Sequence, residues 1–458
     1  MKLTVLGGGG VRSPLLAGTI VSRAEQLNLN EIVFMDNDIK KLTIYGGLAR
    51  EIALRTNEKI KFILTSDPAE ALKDADFVIT TLRVGQDRGR ILDEKIALEY
   101  DILGQETTGA GGFAMAMRSI PALKFYCDMA KRYAKPAVRI FNFTNPSGLV
   151  TQALRDEGFE NVYGICDGPS EFMKELEALT GARHGQLSAE CFGLNHLSWF
   201  RSIKLNGEEI VHKLIDSQEL YKKTEMRLFD PDLVRSQGML LNGYLYYFYH
   251  REKAVQNIKK SGKTRGETIF EINTRMNAEL SALRVREDFE KALEVYLKYY
   301  SERENSYMAI ESGSAHDKTK KAPEGLLSKC EFNGGYAGVA LDFIESCQNG
   351  KEKEMVLLVP NSGSIDGLRD DDIVEITCRA GLDGVKPARI GEVPEIQMNL
   401  IRQVKLFERL AVKSIRLKSI ELAREALMVH PLVNSYTLAK NLADRYIEAH
   451  REYIGEWK

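Results

Sequence analysis

Cysteine is scarce in this chain of 458 residues: six are present, at 127, 166, 191, 330, 347 and 378, without pairwise spacing. That excludes a disulfide framework and fits free thiols in a reducing compartment. Long hydrophobic runs are missing as well. The longest, such as "MVLLVP", fall far below the roughly 20 residues needed to span a bilayer. No charge of one sign dominates, since 63 Lys and Arg face 65 Asp and Glu for a net charge of −2. A global field that recruits nucleic acid or an anionic membrane is thereby excluded, and any anion recognition must be local. There is no internal repeat or low-complexity tract. The chain opens directly on a strand pattern with no basic and apolar leader, which together with the thiols predicts a cytoplasmic protein.

What is present is ample core material, 44% hydrophobic residues, in a length suited to two or three domains. Up to about residue 165, short apolar runs alternate with helical patterns. "KLTVLG", "EIVFMD", "IKFILT", "ADFVITT", "AVRIFNFT" and "NVYGIC" read as strands buried on both faces, because they are nearly continuous in apolar residues. Helices are predicted near 14–27, 38–56, 88–100, 117–134 and 147–156. This order predicts an α/β fold, a Rossmann-like doubly wound parallel sheet with ligands at the carboxyl ends of its strands. After about residue 185 the pattern changes. "AECFGL" and "SWFRSIKLNG" look like antiparallel strands, followed by helices near 239–251 and 265–282, strands "MVLLVPN" and "DIVEITC", then helices over 394–429 and 433–455. The expected domains are 1–184, nucleotide-binding, and 185–458, a mixed α+β C-terminal domain carrying substrate and metal groups.

"TVLGGGGVRSPLL" is a strand, a glycine turn and a helix start. Gly7, Gly8, Gly9 and Gly10, with Val11, would let the backbone approach a pyrophosphate that the helix N-terminus stabilises. Arg12 occupies the place of the usual third glycine. Asp36, closing the second strand in "VFMDND", can accept hydrogen bonds from an adenosine ribose, and its charge disfavours a 2′-phosphate; NAD rather than NADP is expected. Asp36 could instead cap the following helix.

"GICDGP" and "GLNHLSW" put Cys166, Asp167 and His196 where strands end. A thiolate and a neutral imidazole suit a divalent transition metal. On the residues alone, Cys166 stands open between a ligand and a packed structural thiol, and His196 between a ligand and a core histidine.

Together "GQETTGAGG" (104–112), "FNFTNPSGLV" (141–150), "GICDGP" (164–169), "GLNHLSW" (193–199), "GYLYYFY" (243–249) and "SGSIDGLRDDDIVEI" (362–376) resemble glycoside hydrolase family 4, especially its 6-phospho-glucosidases. The resemblance implies Cys166 and His196 as ligands of Mn(II) or another divalent metal, Tyr244 as the catalytic base, and Glu106 and Asn145 as substrate contacts. It also implies Arg90 and Arg265 as phosphate-binding arginines, with Ser13 and Asn145 completing that pocket. Arginine forks suit a phosphate dianion, although exposed helix charge is the bland alternative for both. For Tyr246, Tyr247 and Tyr249, and for Cys191, core packing is the better reading. A phenol with a reference pKa near 10 needs a nearby cation to act as base.

The implied chemistry avoids the usual carboxylate pair. Bound NAD oxidises carbon 3, Tyr244 removes the proton at carbon 2, the aglycone is eliminated, water adds at carbon 1, and the hydride returns. Asp167 takes the general-acid place. An aspartate there marks the family's α-glycoside members, whereas many β-members carry asparagine; the other motifs look closer to β-enzymes. The expectation is a 6-phospho-β-glucosidase acting on a phosphorylated glucoside, a homo-oligomer (dimer or tetramer) with no nucleic-acid or membrane partner. The alternatives are a family 4 hydrolase of another anionic sugar or of 6-phospho-α-glucosides, a 2-hydroxy-acid dehydrogenase, and a sugar-phosphate-sensing module that keeps NAD without turnover.

Overall fold

The six apolar runs do pair in parallel. In the computed structural model, which describes residues 1–313 and 335–458, the strands are β1 (Lys2–Leu6), β2 (Glu31–Met35), β3 (Lys61–Thr65), β4 (Phe77–Thr80), β5 (Arg139–Asn142) and β6 (Val162–Gly164). Alternate residues enter different cores: Val5, Ile79 and Phe141 pack on one side, Leu6, Val78 and Ile140 on the other. Burial on both faces is why the runs are continuous rather than alternating. The strand order β6-β5-β4-β1-β2-β3 reverses between β1 and β4. That switch point opens a crevice at the carboxyl ends of the strands, where ligands of such sheets bind.

The later chain contributes β7 (Leu187–Leu194), β8 (Leu197–Leu205), β9 (Glu208–Glu209), β10 (Leu240–Leu241), β11 (Lys353–Pro360), β12 (Ile373–Gly381) and β13 (Gly384–Pro387). β7, β8 and β10 form a small antiparallel sheet, with β9 paired to β8. β11, β12 and β13 instead extend the first sheet past β6, antiparallel to it through Leu358 and Gly164. A side chain at 164 would collide there, because an added Cβ meets Thr151 Oγ1 at 2.5 Å and Leu358 Cβ at 2.8 Å. The expected division at residue 184 is therefore not a division of the sheet. Thr377 of β12 joins the two sheets by accepting from Cys191 N at 2.9 Å and donating to Ala189 O at 2.8 Å.

Several helix expectations need correction. The helix expected from 117 begins at Gly109 and runs to Tyr133; its glycine-rich first turn has low intrinsic propensity and hid the start. No single helix spans 239–251. Leu240 and Leu241 pair with Phe200 and Trp199, Asn242 accepts the Tyr244 N–H at 3.0 Å, and a 3₁₀ turn Gly243–Leu245 precedes the helices Tyr246–Tyr249 and Arg251–Ser261. The pattern over 394–429 splits into Glu395–Leu417 and Ile420–Val429, since Lys418 turns left-handed (φ +51°) and Ser419 caps the second helix. No helix among the described residues is long and apolar enough to cross a membrane. Cys127, Cys166, Cys191, Cys347 and Cys378 are free thiols; Cys330 lies outside the described residues.

Candidate active site

The glycine turn sits at the carboxyl end of β1, pressed against β2. Gly7 and Gly8 N–H groups both bond Met35 O, at 2.9 and 2.8 Å. A Cβ on Gly8 would lie 2.6 Å from Phe34 Cβ, so this close approach requires glycine. Asp36 faces the turn: its carboxylate accepts the Gly9 N–H at 2.9 Å and the Asp38 N–H at 2.9 Å. Burial pushes its carboxyl up, and these two bonds offset part of the shift. The cap of the following helix is Asp38, which accepts from Lys41 N at 3.1 Å, so Asp36 is free of that role. Gly10 O accepts the Ser13 N–H at 3.0 Å, Ser13 is buried at the start of the helix Ser13–Ser22, and Val11 O accepts from Tyr296 Oη at 2.9 Å. Arg12, in the third-glycine place, pairs with Asp167 at 3.1 Å.

Beyond β6, the chain turns at Cys166 and Asp167 into the helix Gly168–Thr180. His196 stands at the tip of the β7–β8 hairpin, in a left-handed conformation (φ +62°) that histidine tolerates better than most side chains. Its ring stacks on Tyr244, with centroids 3.7 Å apart and planes 3° from parallel. Tyr244 in turn lies within electrostatic reach of Cys166, Glu106 and Asp167. The fold thus gathers the two expected ligands around the expected base.

Hydrogen bonding fixes the His196 tautomer. Gln105 Oε1 accepts from Thr107 N at 2.6 Å and from Thr107 Oγ1 at 3.0 Å. With its proton used there, the Thr107 hydroxyl can only accept from His196 Nδ1, 3.0 Å away. Nε2 is left with a lone pair. Burial lowers the His196 pKa to about 3, so the ring is neutral at pH 7. Burial and then Glu375 push the Cys166 thiol far up, a shift that a bound divalent cation would reverse by taking the thiolate as ligand. Among the described residues no third His, Cys, Asp or Glu completes a metal cluster; a two-ligand site leaves coordination positions for other oxygens. The donor set fits a divalent cation, and the glycine turn with Asp36 fits a dinucleotide.

Arg90 is far from the exposed helix charge that was its bland alternative. In the helix Gln86–Leu98 it is 6% exposed, with Nε 2.7 Å from Glu94 and Nη1 3.0 Å from Glu106. Arg83, after β4, pairs with the other Glu106 oxygen. Burial alone would raise the Glu106 pKa, but Arg83 and Arg90, with Arg265 beyond them, hold it well below the carboxylate range. Glu94 accepts the Gly266 N–H at 2.7 Å, tying Arg90 to the start of the helix Arg265–Ser281. Arg265 bonds Ser306 Oγ at 3.1 Å and lies 5.1 Å from the Tyr307 ring centroid. Asn145 is in the loop between β5 and the helix Ser147–Asp156, its carbonyl accepting from Ser119 Oγ at 3.1 Å.

Tyr246 and Tyr247 are core residues, 4% and 2% exposed, and Cys191 is wholly buried. Sequence reasoning missed Arg83, Thr107, Asn195 and Tyr307. Arg83 follows a strand end and Thr107 lies within a quoted motif, so the rules that found their neighbours could have found them. Tyr307, whose ring centroid lies 6.3 Å from that of Tyr244, carries no local signal.

The family 4 glycosyl hydrolase model matches residues 2–182, and the model of the family's C-terminal domain matches residues 191–433. The chain belongs to glycosyl hydrolase family 4. It is a glycoside hydrolase by that membership. This family 4 chain is 30% identical to a 6-phospho-β-glucosidase of Escherichia coli, over 99% of this chain and 96% of that one. It is 27% identical to the phospho-α-glucosidase PagL of Clostridium acetobutylicum, over 99% of both. A solved 6-phospho-β-glucosidase from Thermotoga maritima, holding manganese, NAD+ and glucose 6-phosphate, superposes with a TM-score of 0.81 at 28% identity, covering 99% of each chain.

Proposed function

We propose that this family 4 hydrolase cleaves 6-phospho-β-glucosides to glucose 6-phosphate and the aglycone, using NAD and a divalent cation, Mn(II) foremost. The carrying observation is the arginine group around Glu106, Arg83 and Arg90 with Arg265 at its edge, set beside the Cys166, His196 and Tyr244 corner. That pairing matches an anionic sugar whose reacting carbons lie near a metal and a base. The ligands of the T. maritima relative support it.

When bound, NAD would exchange a hydride with the sugar and the cation would polarise the adjacent oxygens. The chain's own residues supply the rest. Gly7, Gly8, Gly9, Gly10 and Val11 would cradle the pyrophosphate, and Asp36 the ribose. Cys166 and His196 Nε2 would hold the cation. Arg90 and Arg265 would take the phosphate, with Ser13 and Asn145 completing the pocket and Glu106 orienting the guanidiniums. Tyr244 would remove the carbon 2 proton. Burial raises its pKa, so the phenolate depends on the neighbouring cation. Asp167, held by Arg12, is the general-acid candidate. The protein would act in the cytoplasm as a homo-oligomer, dimer or tetramer.

A panel of chromogenic glucosides tests this: both anomers, each with and without the 6-phosphate, in the presence of NAD+ and Mn(II). Release from the phosphorylated β-anomer is expected. Turnover confined to the α-anomer would follow instead if Asp167 acts as in the α-members, and equal turnover without the phosphate would defeat the substrate assignment.

A further inference from the structure

The motif 362–376 carries, next to its last residue, a carboxylate that the functional reading leaves without a role. Glu375, in β12, is fully buried and both its oxygens are used. Ser198 Oγ donates to Oε2 at 2.7 Å, and Asn195 Nδ2 donates to Oε1 at 3.1 Å. Its bonding partners are these two neutral groups rather than a cation. An unpaired carboxylate is unfavourable inside a protein, and its neighbours Val374 and Ile376 are what a buried strand ordinarily carries.

Each oxygen begins an arm that reaches the site. Asn195 precedes His196 at the hairpin tip and lies within electrostatic reach of Cys166, and its Oδ1 accepts the Gly148 N–H at 3.3 Å. Ser198 has given its only proton to Glu375, so it must accept from Asn242 Nδ2, 3.1 Å away. That orients the Asn242 oxygen to accept the Tyr244 N–H at 3.0 Å. One arm ends on Cys166 and His196, the other on the turn that carries Tyr244. A carboxyl group accepts from both arms through its two oxygens, whereas glutamine would present an N–H to one of them.

We propose that Glu375 is a positioning residue that fixes Cys166 and His196 relative to Tyr244. The inference rests on the reading of those three as cation ligands and base. Groups that orient metal ligands from behind shape affinity nearly as much as the ligands themselves.

The test uses the full chain with two readouts: Co(II) titration, followed by thiolate-to-cobalt absorption, and solvent-deuterium incorporation at carbon 2 of the sugar product. Glu375→Gln is expected to weaken Co(II) binding about 10–100-fold and to slow carbon 2 exchange by about tenfold or more, while NAD+ affinity is unchanged. Asn195→Ala should lower mainly Co(II) affinity. Ser198→Ala should lower mainly exchange. This split is one that general destabilisation would not produce, and it decides the matter if Glu375→Gln fails to fold. Unchanged Co(II) affinity and exchange in Glu375→Gln, or parallel loss of NAD+ binding in all three variants, overturns the proposal. Cys166→Ser separates the two levels. If it retains Co(II), the metal assignment fails; if it loses Co(II) while Glu375→Gln does not, only the anchor fails.

Discussion

The arginine group around Glu106 and the corner of Cys166, His196 and Tyr244 are built on opposite electrostatic plans. Around Glu106 the charges are many and already paired: Arg83, Arg90, Glu94 and Glu106 form a continuous chain of ion pairs. Around Tyr244 burial dominates. It keeps His196 neutral, Cys166 a thiol and Tyr244 a phenol. The first region holds charged groups already assembled by their mutual pairing. The second holds neutral groups, whose ionised forms would, under the proposed function, depend on what binds.

Replacing single groups should separate these plans. The largest effect is expected from Tyr244→Phe, a fall in kcat of about 10²–10⁴-fold, the usual worth of a positioned base, with substrate affinity little changed; kcat and KM measured separately check this. Arg90→Ala should show the opposite signature, a steep rise in KM, since each charged hydrogen bond contributes about 1.5–3 kcal/mol. It should also lower unfolding stability by about 3–5 kcal/mol, because Glu94 and Glu106 lose a buried partner. Thermal unfolding distinguishes it from Arg265→Ala, whose partners include neutral oxygens. A stable Arg90→Ala protein would mean that the ion-pair chain is dispensable.

Asp36→Ser should reduce the NAD+ preference over NADP+ by about tenfold, roughly 1.4 kcal/mol, read from kcat/KM for activation by each dinucleotide. The smallest effect concerns acid. His430 packs against Gly109 and Phe407, and burial lowers its pKa to about 3. Because the unfolded chain binds the proton near pH 6.5, this histidine removes stability as pH falls from 6.5 towards 3, by about 1.4 kcal/mol per unit. His430→Asn, which keeps an acceptor for the Leu432 N–H, should therefore gain on the parent protein as pH is lowered through that window. Parallel pH profiles of the two unfolding midpoints would contradict it.

The same contrast explains what was legible in the sequence. The parallel sheet was readable because strands buried on both faces leave continuous apolar runs, and the glycine turn because Gly8 must lie against Phe34. The expectation for Cys166 and His196 came from their motifs, not from spacing, since ring stacking and a hairpin tip leave no periodic trace. Arg90 was singled out through its motif, but its burial between Glu94 and Glu106 leaves no mark in the local sequence, where it is indistinguishable from exposed helix charge. Pairings distant in sequence, β11 on β6 or Glu375 behind Asn195, depend on tertiary register that local pattern does not encode. The 239–251 segment misled because its aromatic run has helical spacing while Asn242 locally imposes a turn.

Hydrolysis of a 6-phospho-β-glucoside in deuterium oxide tests the account most directly, with prompt trapping of the product against later isomerisation. Only oxidation followed by elimination breaks the carbon 2 bond. The account predicts glucose 6-phosphate carrying deuterium at carbon 2, slower turnover of substrate deuterated at carbon 2 or carbon 3, and loss of both exchange and aglycone release in Tyr244→Phe. Product free of solvent deuterium, no slowing with either labelled substrate, and an active Tyr244→Phe would together contradict it.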